Sequence, residues 1–157
     1  MNVLGWLLWG FVATLVMTAL MTAGHAARLT RMSLPYLLGT MITPNRDRAV
    51  LAGFAFHLVN GWLLALVYVA VFHSWGLATW WAGAAIGAMH AAFVLTFGMV
   101  MLPALHPRIA SEQQGPTMRR QIEPPGFLAL HYGIQTPVSL LVAHLVFGGL
   151  LGAFYQL

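Results

Sequence analysis

The chain contains no cysteine and no lysine, and only 6% of its 157 residues are charged. Without cysteine there can be no disulfide, no thiol redox chemistry and no thiolate metal site. A soluble domain carries about a quarter charged residues, so the charge present here cannot solvate a globule of this length. Acids are the scarcest of all. Asp47, Glu112 and Glu123 lie outside the apolar runs and offer no acid–base pair of carboxylates. Ser33, Ser74, Ser111 and Ser139 lack the context of a nucleophile elbow, and no glycine-rich phosphate loop is present. No catalytic residues are assigned on this basis.

What remains is 60% hydrophobic, with a net charge of +4. A basic balance can indicate nucleic acid. Here the arginines flank apolar segments, so membrane orientation accounts for them and no nucleic-acid partner is expected. Apolar runs at about 3–26, 48–72, 79–102 and 137–156 each meet the roughly 20 residues needed to cross a bilayer. The reading is all-α: a polytopic membrane four-helix bundle forming a single transmembrane domain over 1–157. The first run has no basic residue before it and is longer than a signal-peptide core, so it reads as a retained span.

Six of the seven arginines and all three acids fall in the loops 28–47 and 103–125, and the seventh, Arg48, adjoins the first of them. The positive-inside rule then places both loops in the cytoplasm and both termini outside, consistent with a bacterial inner membrane. Ser33-Leu34-Pro35 reads as a cap with proline following, opening a short apolar turn through Ile42 at the interface. Tyr68, Trp75, Trp80 and Trp81 read as an aromatic belt, Pro103 as the end of the third span, and 126–135 as a lead-in to the fourth.

The stretch from His57 to Tyr68 recurs from His144 to Tyr155, with His, Leu-Val, Gly, Leu-Leu, a small residue and Tyr at equal spacing, 87 positions apart (144 minus 57). His, Gly and the small residue fall at i, i+4 and i+8, one face of a helix. Trp9 with Met17-Thr18 resembles Trp81 with Met89-His90. Together these imply two parallel helix-loop-helix repeats related by a pseudo-twofold along the membrane normal. Counting 1.5 Å per residue from the aromatics places Thr18, His57, His90 and His144 in one layer near the midplane.

Ionisable residues within a membrane are costly and point to function. Two ligand sites are open to this layer. His57 and His144 could bind haem b axially, or His57, His90 and His144 could hold one transition-metal ion. Against these stands a structural use, in which neutral histidines bond to Thr14, Thr18, Asn60 or helix carbonyls. Gly83-x-x-x-Gly87 and Gly148-x-x-x-Gly152 permit close helix approach, either within the bundle or to a second copy or a partner in a membrane complex.

The pattern His-Leu-Val-x-Gly-x-Leu-Leu-Gly-x-x-Tyr at 144–155, with His106-Pro107-Arg108 upstream, resembles an uncharacterised family of small four-helix integral membrane proteins of bacteria. The resemblance implies fold and location, and carries no activity or site residues. Two functions from different classes follow from the residues: a membrane module binding haem or a metal through its histidine layer, or a structural or accessory subunit of a membrane complex. A transporter would need more polar lining than the Thr14-Thr18-Thr22 stripe.

Overall fold

The computed structural model describes all 157 residues and is all-helical, with four helical segments long and apolar enough to cross a membrane. Helix α1 spans Val3–Ala26, the short α2 Leu34–Gly39, and α3 Arg46–Trp75. The third crossing is built from α4 (Trp80–Phe93), a π-helical turn (Val94–Gly98) and α5 (Met99–Leu105). A 3₁₀ segment, Phe127–Tyr132, leads into α6, Thr136–Phe154.

The ends follow from local chemistry. Asn2 Oδ1 accepts from the Gly5 amide at 2.8 Å and starts α1, and Asn45 Oδ1 accepts from the Arg48 amide at 3.0 Å and starts α3; both satisfy an N–H that the helix cannot. Gly76, at φ 63°, ends α3 in the left-handed conformation that glycine adopts without strain. Pro137 sits in the first turn of α6, where its missing N–H costs nothing.

Two boundaries and one internal turn differ from the sequence reading. Helix α3 runs on through His73 to Trp75, because the capping glycine lies beyond them. The third crossing continues past Pro103 to Leu105; proline near a helix end removes a single internal bond. The π-turn had no sequence signal.

Along most of α3 a stripe of small residues faces inward and large aliphatic ones face outward. The buried positions of α3 include Ala49, Gly53, His57, Gly61, Ala65 and Val69, a strict four-residue stripe. Leu51, Val59, Leu63 and Val67 of the same helix are exposed, where a bilayer would meet them. Lipid tails are as apolar as leucine, so close backbone packing must bring the helices together. Helix α1 packs on α3 and α6, and α6 packs on α4. Helices α3 and α4 are joined mainly through side chains.

The α4–α6 seam brings backbone against backbone. A Cβ on Gly87 would lie 2.2 Å from His144 O, and one on Gly152 would lie 2.0 Å from Thr79 O. Gly83, Gly87, Gly148 and Gly152 are therefore occupied within the chain, and no face of theirs remains for a partner helix. Helix α2 packs against α3 in the same way, through Gly39 on Ala49 O and Gly53 on Pro35 O.

On the arginine side the two long loops interlock. His106, fully buried, donates from Nε2 to Leu37 O at 2.9 Å, and Arg108 donates to Thr40 O. Thr30 and Thr136 share a hydroxyl–hydroxyl bond of 2.7 Å. Arg31 donates its amide to Tyr132 O at 2.8 Å and pairs with Glu123 at 3.3 Å. His106 is thus a core residue of this cap, although its place beside arginines suggests an interfacial one.

Candidate histidine site between the helices

His57 sits where α3 crosses α1. The two helices are in register through Trp62 and Gly61. Trp6 Nε1 donates to Trp62 O and Trp62 Nε1 donates to Leu7 O, each at 3.1 Å, with the rings stacked at 5.5 Å. A Cβ on Gly61 would come within 2.4 Å of the Thr14 side chain. One turn further in, this register brings Thr18 against His57, with Oγ1 and Nδ1 2.8 Å apart.

The direction of that bond is determined. Thr18 Oγ1 also lies 2.7 Å from Thr14 O, and its single proton goes there. Thr18 can then only accept, so His57 donates from Nδ1 and keeps a lone pair on Nε2.

His144 reaches the same tautomer by another route. Its Nδ1 lies 2.8 Å from Leu140 O, a group that can only accept. His144 therefore carries its proton on Nδ1 and a lone pair on Nε2.

His90 is different. Its Nδ1 lies 3.0 Å from Tyr68 Oη. Tyr68 is only 2% exposed, and a buried hydroxyl proton needs an acceptor; His90 Nδ1 is the one within reach. Tyr68 donates, so His90 carries its proton on Nε2. The His90 and His144 rings meet edge to face with centroids 4.8 Å apart.

All three rings thus use Nδ1 within the protein and leave Nε2 unpartnered. No unexposed residue hides an unbonded side-chain nitrogen or oxygen from solvent-sized space, so each Nε2 opens onto such space. The arrangement offers two acceptors, on His57 and His144, and one donor, on His90.

It does not offer a three-ligand metal set. No three His, Asp or Glu side chains converge on one point, so His57, His90 and His144 do not form the common centre that their depth suggested.

Tyr68 is the residue that sequence reasoning missed. As an aromatic near the end of an apolar run it resembles a belt residue. The structure buries it against Phe147, at a centroid distance of 5.0 Å. Its spacing from His57 was the available signal: eleven residues are three helical turns, so the two share a face. Tyr155, its counterpart in the second copy, does lie at a helix end, just past α6, where it packs on Phe72 and takes hydrogen bonds with His73 Nε2 at 2.9 Å and Asn2 N at 3.0 Å.

Asn60 points away from the site and is exposed, so it bonds none of the histidines. His25 and His131 each face a backbone carbonyl, of Thr30 and Pro124 respectively, and take no part in the layer. No protein-family model, curated protein or solved structure matches the chain.

Proposed function

We propose that this is a ligand-holding protein of the bacterial inner membrane, in which His57 and His144 offer imidazole nitrogens to a transition-metal ion. One observation carries the reading. Both rings commit Nδ1–H to a protein oxygen and leave the Nε2 lone pair free. Metal-binding histidines are commonly prepared in this way, with an acceptor behind the ring fixing its tautomer. Imidazole suits zinc, copper, iron and nickel, and two protein ligands leave positions for water or a further ligand. Haem b held axially between the same two rings is the alternative form of this reading.

The same reading takes the chain as two parallel repeats, 3–72 and 79–156, with both termini outside and the arginine-bearing loops in the cytoplasm. His57 and His144 occupying corresponding places on glycine-bearing faces supports it, as does the resemblance to small four-helix bacterial membrane proteins. The halves are not equal in detail. Helix α1 packs along α6, whereas α3 and α4 lack a matching seam, and α2 is a helix of the first loop.

A second reading has its own observation. Thr18–His57 ties α1 to α3, and Tyr68–His90 ties α3 to α4, which suits a structural or accessory subunit. One water donating to His57 and His144 and accepting from His90 would then complete the network.

The experiment is elemental analysis and visible spectroscopy of the detergent-purified protein and of three variants. The metal reading expects a bound transition metal that His57→Ala and His144→Ala lose and His90→Ala retains. A metal-free parent, or retention by all three variants, leaves the structural reading in its place. A Soret band lost with His57 or His144 would instead assign haem.

A further inference from the structure

On the arginine side, between α2 and the polar segment after α5, lies a cleft of about 550 Å³. Tyr36, Thr40, Arg108, Met118, Arg119 and Gln121 line it. Pro44, just before the cap of α3, and Pro107, just after α5, also contribute. The cleft therefore stands level with the ends of two crossings.

Its chemistry is one-sided. None of the three acids lines it. The sole ion pair of the protein joins Arg31 to Glu123, so neither Arg108 nor Arg119 has a carboxylate partner. Arg108 is half-buried and donates to Thr40 O, which pins its guanidinium to the wall while other N–H groups remain to be satisfied. Partial burial of an unpaired cation is costly. An anion with several oxygens relieves that cost, and the planar fork of arginine matches phosphate geometry. A second cleft, of about 380 Å³, adjoins the first at Arg119 and is lined by Ser111, Thr117 and Arg120, again without an acid.

We propose that this cleft binds a phosphoryl group, held by Arg108 and Arg119 with the Tyr36 hydroxyl as a further donor. The adjoining cleft takes the polar remainder of the molecule. Its source is either a membrane lipid headgroup or a free phosphate compound. Exposed apolar side chains near the rim, Ile42 at 59%, Leu105 at 73% and Met118 at 96%, suit a headgroup whose acyl chains remain in the bilayer.

The test uses the full chain with two probes. Inorganic phosphate is titrated calorimetrically against the protein in uncharged detergent. Lipid retention is measured by native mass spectrometry after reconstitution in phosphatidylcholine with and without phosphatidylglycerol. Arg119→Gln should weaken binding about tenfold, as expected for losing a charge-assisted hydrogen bond, and Tyr36→Phe should weaken it several-fold. Arg28→Gln removes the same charge outside the cleft and should change binding by less than about twofold. Saturable phosphate binding identifies a free phosphate compound, and selective retention of phosphatidylglycerol identifies a lipid; either supports the site. If the parent binds neither, or Arg28→Gln costs as much as Arg119→Gln, the positive charge is diffuse and the site is refuted. Should Arg119→Gln fail to run as a single species on gel filtration, Tyr36→Phe decides by the same criterion.

Discussion

Gly83 and Gly148 exclude each other's side chains reciprocally: a Cβ on Gly83 would stand 1.9 Å from Gly148 O, and a Cβ on Gly148 would stand 2.0 Å from Gly83 O. Backbone meets backbone here, so no rotamer change can make room. Gly83→Ala or Gly148→Ala should force α4 and α6 apart and cost at least about 1–3 kcal/mol. Gly149→Ala, whose nearest neighbour would be Trp80 O at 3.7 Å, should be close to neutral. Thermal unfolding in detergent would show a lowered midpoint for the first two alone. Equal midpoints for all three would mean that the seam is looser than described.

Thr18 acts as an acceptor because Thr14 O takes its proton. Thr18→Val keeps the shape but leaves His57 Nδ1–H unsatisfied, at an expected cost of about 0.5–2 kcal/mol between transmembrane helices. Thr18→Ser should retain most of the stability. A double-mutant cycle with His57→Ala isolates the pair; a coupling energy near zero would show that Thr18 does not hold the ring.

The interlocked loops should be sensitive to acid. Burial holds the pKa of His106 below the ordinary histidine range, opposed by its bond to Leu37 O and reinforced by the nearby Arg108 charge. A lowered folded pKa means that the native cap favours the neutral ring. Its contribution is complete above the unfolded value of about 6.5 and is lost as pH falls below that towards the folded pKa. Amide protection factors in 28–45 and 103–125, with the intrinsic pH dependence of exchange divided out, should therefore fall on acidification from pH 7 to 5. His106→Gln should abolish the pH dependence; its persistence in that variant would assign the effect to another group.

The orientation proposed from arginine placement can be tested directly. A cysteine replacing exposed Gln114 should react with an impermeant maleimide only after the membrane is permeabilised. The absence of native cysteine leaves no background. Labelling in intact cells would reverse the topology.

The four crossings were legible because hydropathy and the end-capping residues are local. Val3–Ala26 agrees with the first apolar run to the residue. Depth was less legible. Tyr68 and Tyr155 occupy equivalent places in the repeated stretch, yet Tyr155 lies beside Phe72, which puts Tyr68 about 6 Å deeper at 1.5 Å per residue. Similar sequence did not mean similar distance from the surface, because α3 extends beyond its counterpart. The Thr18–His57 contact was foreseen from common spacing, but hydrogen-bond direction was not, since it depends on Thr14 O, one turn away. Asn60 was misjudged for a simpler reason: it is three residues from His57 but off the four-residue stripe, and that offset turns it outward.

The pairing of Thr30 with Thr136, together with Arg31 on Tyr132, sets an order of events during synthesis. Chains emerge from the ribosome N-terminus first, so the first two crossings and their loop exist before any of these later partners. Until then the Thr30 hydroxyl and the Arg31 amide must remain hydrated, and α2 rests on α3 without the His106 bond that later fastens it. The last crossing to be made therefore fastens the first loop. A ribosome stalled before residue 136 would leave the earlier crossings without the last one and the first loop unlatched, and a protease on the loop side could tell this state from the finished protein.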